Sequence, residues 1–189
     1  MGDWAVIRLT QARQVAAAME LPDDEMPDEA LGVREFYEQA RKRSPSDALD
    51  VIGHALPRFE AVSWAAAVLD RESRRRELSP GNRQALDSAL RWVGEPDDAH
   101  RRAAYAAAEQ ASDDSPERLL GFAVFLSGGS LSEPDLPPVL PPAATCCQLA
   151  VSAVRLAAYR NGDPEQLYEW ALDQAEGVAE NGVTALSKA

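Results

Sequence analysis

Residues 119–142 read LLGFAVFLSGGSLSEPDLPPVLPP, and this stretch determines how the rest of the chain is interpreted. Its first part, 119–126, is apolar on nearly every side of a helical wheel and far too short to span a membrane. That combination predicts a central core helix. The pair Gly128-Gly129 predicts a helix end with a glycine in the left-handed conformation. The stretch therefore predicts a buried helix, a stop and an irregular exit.

The exit is a proline-rich strap, residues 130–142, in which prolines alternate with Leu136, Val139 and Leu140. Proline favours an extended polyproline II backbone, which partner domains recognise as an exposed ligand. The apolar side chains favour a second arrangement, in which the strap packs along a groove between helices. We expect the packed arrangement. We also expect Phe122 and Phe125, in the preceding helix, to be buried.

On both sides of this stretch the pattern is helix after helix. Apolar residues recur at helical spacing, and Ser or Asp followed by Pro marks several starts. Besides 119–126, helices are predicted over 11–19, 27–43, 48–55, 58–75, 80–94, 96–111, 143–159 and 164–181. No alternating strand pattern follows residue 10, and no fixed repeat period supports a solenoid. The predicted fold is all-α, an irregular multi-helix bundle or layered helical array of about eight helices.

The length of 189 residues suits one domain with a core of its own. We expect an N-terminal arm and first helix over 1–27. The helical domain is expected over 28–181, and a frayed tail over 182–189.

Composition restricts the functional class. The chain is 46% hydrophobic and carries a net charge of −12, so it is expected to fold and to repel phosphate backbones. Nucleic-acid binding is therefore disfavoured, whereas a basic protein partner is compatible with the charge. The start lacks a signal peptide's apolar core, and no apolar run approaches the ~18 residues of a membrane span. The vicinal Cys146-Cys147 pair implies no disulfide framework, so a cytoplasmic location is expected.

No residue pattern predicts catalysis, a cofactor or a metal. His54 and His100 lack a full ligand set, so each is expected to be a surface or capping histidine. Cys146 and Cys147 open a helix, which can lower a thiol pKa, but no histidine lies near them in sequence and at least one is expected in the core. The glycine pair lacks the strand and lysine of a phosphate loop. We therefore expect a protein that is not an enzyme.

Two groups of arginines stand out in this acidic chain. Four lie near the end of one predicted helix and two near the start of another; they are Arg71, Arg74, Arg75, Arg76, Arg101 and Arg102. Such runs are most often solvated helix ends or ion-pair partners of neighbouring acids. The alternative is a docking site for an acidic partner, because arginine is favoured in interfaces. With Leu136, Val139 and Leu140, these residues are the candidate protein-binding residues.

Four stretches carry a family resemblance: DALDVIGHALPRFEAVSWAA (47–66), SPGNRQALDSALRWVGEPDDAHRRAAYAAAE (79–109), LLGFAVFLSGGSLSEPDLPPV (119–139) and the helix that follows. Through them the chain resembles an uncharacterised family of bacterial all-helical proteins, over most of residues 28–160. The resemblance implies a loose association with type VI secretion genes, and it carries over no catalytic residue. Ser63, where a second aromatic residue is expected, and the Cys146-Cys147 pair depart from the family pattern.

Three hypotheses on function follow. The first is a non-enzymatic protein-binding module, an adaptor or chaperone-like accessory whose partner is a secretion component or effector. The second is an acidic immunity-type protein that masks a basic toxin. The third, an enzyme with dispersed carboxylates, has the least support because the acidic pairs precede helices, where carboxylates satisfy free N–H groups. The oligomeric state is left open.

Overall fold

The computed structural model describes residues 4–133, 135–160 and 162–188, without the side chains of residues 187 and 188. Within these residues it has nine α-helices and no strand, which confirms the all-α prediction. The helices are α1 Ala12–Ala18, α2 Val33–Arg43, α3 Pro45–Ala55, α4 Arg58–Ser73, α5 Pro80–Gly94, α6 Asp98–Glu109, α7 Pro116–Leu126, α8 Thr145–Arg160 and α9 Pro164–Asn181. Short 3-10 segments cover Asp23–Glu25 and Gly182–Lys188. No described helix combines the length and apolar character that a membrane crossing requires.

Helix starts follow the punctuation visible in the sequence. At α3, α5, α6, α7 and α9, a Ser or Asp side chain accepts a hydrogen bond from the backbone N–H three residues further on. Four of these helices also have proline in the first turn, where its missing N–H has no cost. The caps are Ser44, Ser79, Asp97, Ser115 and Asp163. Local capping therefore sets these boundaries.

The centre of the molecule is α4. Trp64 is fully buried in it, and the indole Nε1 donates to the Ala171 carbonyl of α9 at 2.8 Å. Helix α4 packs against α5, α7, α8 and α9. Because the apolar residues of α4 cover a wide arc of its surface, the helix contacts several neighbours.

The prediction that 119–126 is the central helix, apolar on all sides and buried, is wrong for one face. In α7, Leu120, Ala123 and Val124 are buried, but Phe122 and Phe125 are only half-buried. Both rings lie beside Tyr105 of α6, with centroid distances of 5.6 and 4.5 Å. The aromatic side chains thus cover the seam between two helices.

That seam is close because Gly121 has no side chain. A Cβ placed at Gly121 would lie 2.7 Å from Ala108 Cβ and 2.9 Å from the Ala104 carbonyl oxygen. Both alanines are fully buried in α6, as the alanine-rich face of that helix predicts, whereas Ala103 of the same predicted face is exposed. Small residues on both sides permit the close approach of α6 and α7.

The two ends of the described chain contact the helices. Residues 4–10 form an arm without regular structure, tied to α9 by a hydrogen bond from Val6 N to the Ala179 carbonyl at 3.0 Å. Helix α1 buries Val15 in the shared core. The predicted arm at residues 1–3 lies outside the described residues. Within the tail expected over 182–189, residues 182–188 form a 3-10 segment, and Leu186 packs against the core.

Helix α2 starts at Val33, six residues after the predicted start at Pro27. Asp28 accounts for the delay. Its Oδ1 accepts a hydrogen bond from Ala30 N at 2.9 Å and its carbonyl accepts from Leu31 N at 3.1 Å. A carboxylate that bonds its own following backbone favours a turn over a helix.

Candidate protein-binding surface

The strap closes on itself. Leu131 N donates to the Val139 carbonyl at 2.8 Å, and Ser130 Oγ accepts from Val139 N at 3.1 Å. A turn inside the loop is closed by the bond from Leu136 N to the Glu133 carbonyl at 3.0 Å. At the far end, Pro141 is buried. The strap is therefore a closed loop that is anchored at both ends.

Its apolar side chains are exposed, so the packed arrangement expected from the sequence is wrong. Leu136, Val139 and Leu140 are 59%, 55% and 75% exposed. The physical reason is the closure: the backbone pairs with Ser130 and Leu131 and does not run along a groove between helices. The structure thus presents three apolar side chains in a defined loop.

Arg101 holds the base of this loop. It is only 3% exposed, and its Nη1 donates to the Phe125 carbonyl at 2.7 Å while Nη2 donates to the Ser130 carbonyl at 2.8 Å. The same guanidinium bonds Asp98 Oδ1 and lies 4.7 Å from the centre of the Phe125 ring. Gly129, with φ of 69°, leaves space for it, since a Cβ there would lie 3.0 Å from Nη2. Arg101 therefore connects the end of α7 to the strap.

Arg102 supports the next residues of the loop. Its Nη2 donates to the Ser132 carbonyl at 2.7 Å and its Nε donates to Asp98 Oδ2 at 2.8 Å. Hydrogen bonds from Arg102 and Arg101 hold the pKa of Asp98 below its usual value. Arg101 is thus a buried structural residue, which corrects its place among surface docking residues, whereas 27% of the Arg102 side chain remains exposed. Asp98 with arginines three and four positions later was the sequence signal for this cluster.

The other basic group lies elsewhere. Arg58 at the start of α4 bonds the Ser127 carbonyl near the strap at 3.4 Å, whereas 71–76 lie at the opposite end of that helix, about 20 Å away. Arg74 pairs with Asp70 at 2.6 Å. The structure brings Arg101 and Arg102 together with the strap, but not the group at 71–76.

Within that group, Arg71 and Arg75 both pair with Glu72, whose side chain is fully buried. Arg71 also lies 4.3 Å from the ring centre of Trp170. Ion pairing with neighbouring acids, one of the two interpretations offered by the sequence, describes three of the four arginines. Arg76 is exposed and lines a cavity that it shares with Tyr159 and Arg160 of α8.

A cavity of about 360 Å³ opens beside the base of the strap. Phe59 and Trp92 line it, with their rings in an edge-to-face arrangement 5.6 Å apart, and Gly128 and Gly129 form its rim. Aromatic side chains in a partly open depression are typical of protein interfaces. The strap and this cavity together form one candidate surface, which we call the strap face.

The two histidines and two cysteines occupy different environments. His54 is buried in the last turn of α3, contrary to the surface or capping position expected, and its Nδ1 bonds the Asp50 carbonyl one turn earlier at 2.8 Å. His100 is partly exposed, 3.1 Å from Asp97. Both cysteines are buried and free, as expected for at least one of them. Among the described residues, no three His, Cys, Asp or Glu side chains are grouped so as to hold a metal ion.

The fold and the strap face define an all-helical protein with an anchored apolar loop. Residues 36–179 match the model of a family described as a family of unknown function (DUF6931). The match covers well over half of the chain, and the chain therefore belongs to this family. None of the curated proteins and none of the solved structures compared with the chain matches it.

Proposed function

We propose that the chain is a non-enzymatic protein-binding module that presents the strap face to a partner protein. The observation that carries the proposal is the exposure of Leu136, Val139 and Leu140 on a loop whose backbone is held by hydrogen bonds. Exposed apolar side chains are ordinary when scattered, but these three belong to one short segment. A partner would bury them together.

The anchoring of the loop favours binding. A loop that is already ordered loses little conformational entropy on docking, so more of the interaction energy appears as affinity. Burying the exposed parts of the three side chains contributes about 3–5 kcal/mol before the cost of association. Further contacts at the cavity of Phe59 and Trp92 are therefore part of the proposed interface.

The partner chemistry follows from the segment itself. Leu136-Pro137-Pro138-Val139-Leu140 combines prolines, which favour extended backbone, with apolar side chains. Grooves lined by aromatic residues bind such segments. We propose a partner with an apolar groove and a basic surround, since the net charge of −12 attracts a basic surface at long range.

An accessory role in bacterial type VI secretion is the finer form of the proposal. What supports it is the gene association that the family resemblance implies. An immunity protein that masks a basic toxin is the second candidate, supported by the strong negative charge. The two differ in the surface they use: the accessory would bind through the strap, whereas the immunity protein would bind through its carboxylates.

Purified products of the neighbouring genes, assayed one by one by calorimetry, test the proposal. The informative variant is Leu136→Ser, Val139→Ser and Leu140→Ser combined, and the matched control is Tyr159→Ser, which changes a side chain 69% exposed elsewhere. We expect a partner whose binding the triple variant abolishes and the control retains. Equal binding of a partner by both variants refutes the strap face as the binding surface. If that partner is a basic toxin and salt strongly weakens its binding, the result supports the immunity role.

A further inference from the structure

A second cavity, of about 490 Å³, lies between the arm, α1, the turn from α3 to α4 and the start of α8. Its walls are mostly aliphatic, from alanines and from Leu9, Leu56 and Pro57. Volume and lining are those of a site for a small organic molecule, which is typically apolar with a few polar groups. This cavity, which we call the arm cavity, is distinct from the strap face.

The charge of the arm cavity is unusual for this protein. Arg8 and Arg58 line it, and no described lining residue is a carboxylate. The four other cavities described in the molecule each have at least one aspartate or glutamate in their walls. In a chain with 31 acidic and 19 basic residues, an acid-free cavity with two arginines favours an anion.

Neither arginine has an ion-pair partner among the described residues, whereas most other arginines of the chain do. The side chain of Arg58 donates one long hydrogen bond, to the Ser127 carbonyl at 3.4 Å. Arg8 is exposed at the rim. Two guanidinium groups are therefore available for a ligand, and guanidinium binds carboxylates in a bidentate geometry.

His54 adds a buried polar group to the same wall. It is 8% exposed, and its Nε2 has no hydrogen-bond partner among the described residues. Because Nδ1 donates to the Asp50 carbonyl, Nε2 is the acceptor that remains. Burial lowers the pKa of His54, which keeps the ring neutral. Buried polar atoms are seldom left unpaired, so this one is open to a hydroxyl or amide donor that a ligand carries besides its charged group.

We propose that the arm cavity binds a small carboxylic acid with an apolar body, such as an aryl-alkanoic or medium-chain alkanoic acid. The carboxylate pairs with Arg8 and Arg58 at the rim, and the hydrocarbon contacts the aliphatic wall around Leu56. The thiol of Cys147, 6% exposed, lies in the same lining. It therefore serves as a local reporter of occupancy.

Calorimetry tests this inference by comparing the affinities of 4-phenylbutyrate and 4-phenylbutanol. The alcohol has the same hydrocarbon body but no charge. We expect the acid to bind at least about tenfold more tightly than the alcohol, the increment of one good ion pair. Arg8→Gln combined with Arg58→Gln removes this preference, while Arg91→Gln, an exposed arginine without a described ion pair, retains it.

A Cys146→Ser variant leaves Cys147 as the only thiol, and the acid is expected to slow its reaction with a disulfide reagent. Equal affinity for acid and alcohol, no binding of either, or unchanged preference in the double variant overturns the proposal. If the double variant does not fold, Arg8→Gln alone decides, because Arg8 is exposed. Loss of partner binding by the strap variant leaves these outcomes unaffected, so the two proposals fail separately.

Discussion

Replacing Arg101 by methionine removes the guanidinium at the base of the strap and keeps an unbranched apolar side chain in a position that is 3% exposed. The Phe125 carbonyl then loses a charge-assisted hydrogen bond of 2.7 Å, worth about 1.5–3 kcal/mol. The Ser130 carbonyl keeps a donor, because Arg102 Nη2 lies 3.2 Å from it. The pair with Asp98, whose own side chain is 59% exposed, adds up to about 1 kcal/mol. We expect a loss of about 2–3 kcal/mol in the free energy of unfolding.

Part of that loss is expected to be local. The amides of Leu131 and Val139 are protected by the hydrogen bonds that close the loop. If the loop opens more easily by about 2 kcal/mol, their hydrogen exchange accelerates about 30-fold, while amides in the middle of α4 exchange at a rate set by global stability. Nuclear magnetic resonance exchange rates and urea unfolding measure the two effects on one sample.

Arg91→Met is the matched control, since Arg91 is exposed on α5 and has no described ion pair. It should leave both the urea midpoint and the loop amides unchanged. If Arg101→Met lowers the midpoint while Leu131 and Val139 exchange as in the natural protein, then Arg101 stabilises the helices alone and does not hold the strap.

Three further predictions concern single substitutions in the helices. Gly53→Ala is expected to destabilise the protein by about 1–2 kcal/mol net of helix propensity, because the new Cβ would lie 2.2 Å from Val151 Cγ2. The control Gly94→Ala should stabilise the protein slightly, because a Cβ there has nothing within 4 Å. Equal urea midpoints for the two variants would contradict this prediction. Phe125→Ala should lower the free energy of unfolding by about 2 kcal/mol, as measured by thermal unfolding. The loss is smaller than the roughly 3–5 kcal/mol of a buried phenylalanine because Phe125 is only half-buried. Since burial lowers the pKa of His54, the unfolded chain takes up its proton first as pH falls below about 6.5. The natural protein should thus lose more stability than His54→Gln between pH 7.5 and 5.5, and parallel losses would refute a neutral buried ring.

Local signals in the sequence were enough for most helix boundaries. Ser79-Pro80 and Ser115-Pro116 carry both the cap and the first-turn proline, and the structure uses each as predicted. Such signals act within one turn and need no knowledge of the rest of the chain. The error at α2 has a local cause too, because the turn that Asp28 closes competes with the helix start predicted at Pro27.

The environment of a helix face was harder to predict. An apolar wheel indicates how much surface can be buried, but not which neighbours bury it. Phe122 and Phe125 are apolar enough for a core, yet Tyr105 and the side chains of Arg118 and Arg101 cover them at the surface.

The strap face and the arm cavity depend on contacts between distant segments. Arg101 reaches Ser130, 29 positions later, and His54 lies in one cavity with Cys147. Composition identified the prolines, the histidine and the cysteine, but their exposure or burial is decided by how the helices assemble. Candidate residues were therefore visible in the sequence, whereas their grouping into sites was not.

The missing side chain at Gly121 has a consequence for how this family can vary. The separation of α6 and α7 at that glycine sets how far Arg101, on one helix, lies from the Phe125 carbonyl, on the other. A larger residue at 121 would push the helices apart and lengthen that hydrogen bond, because its Cβ would meet Ala104 and Ala108 of α6. The packing of α6 against α7 thus sets the angle of the strap. A relative with a bulkier residue at 121 should present its strap at a different angle, even when every strap residue is the same.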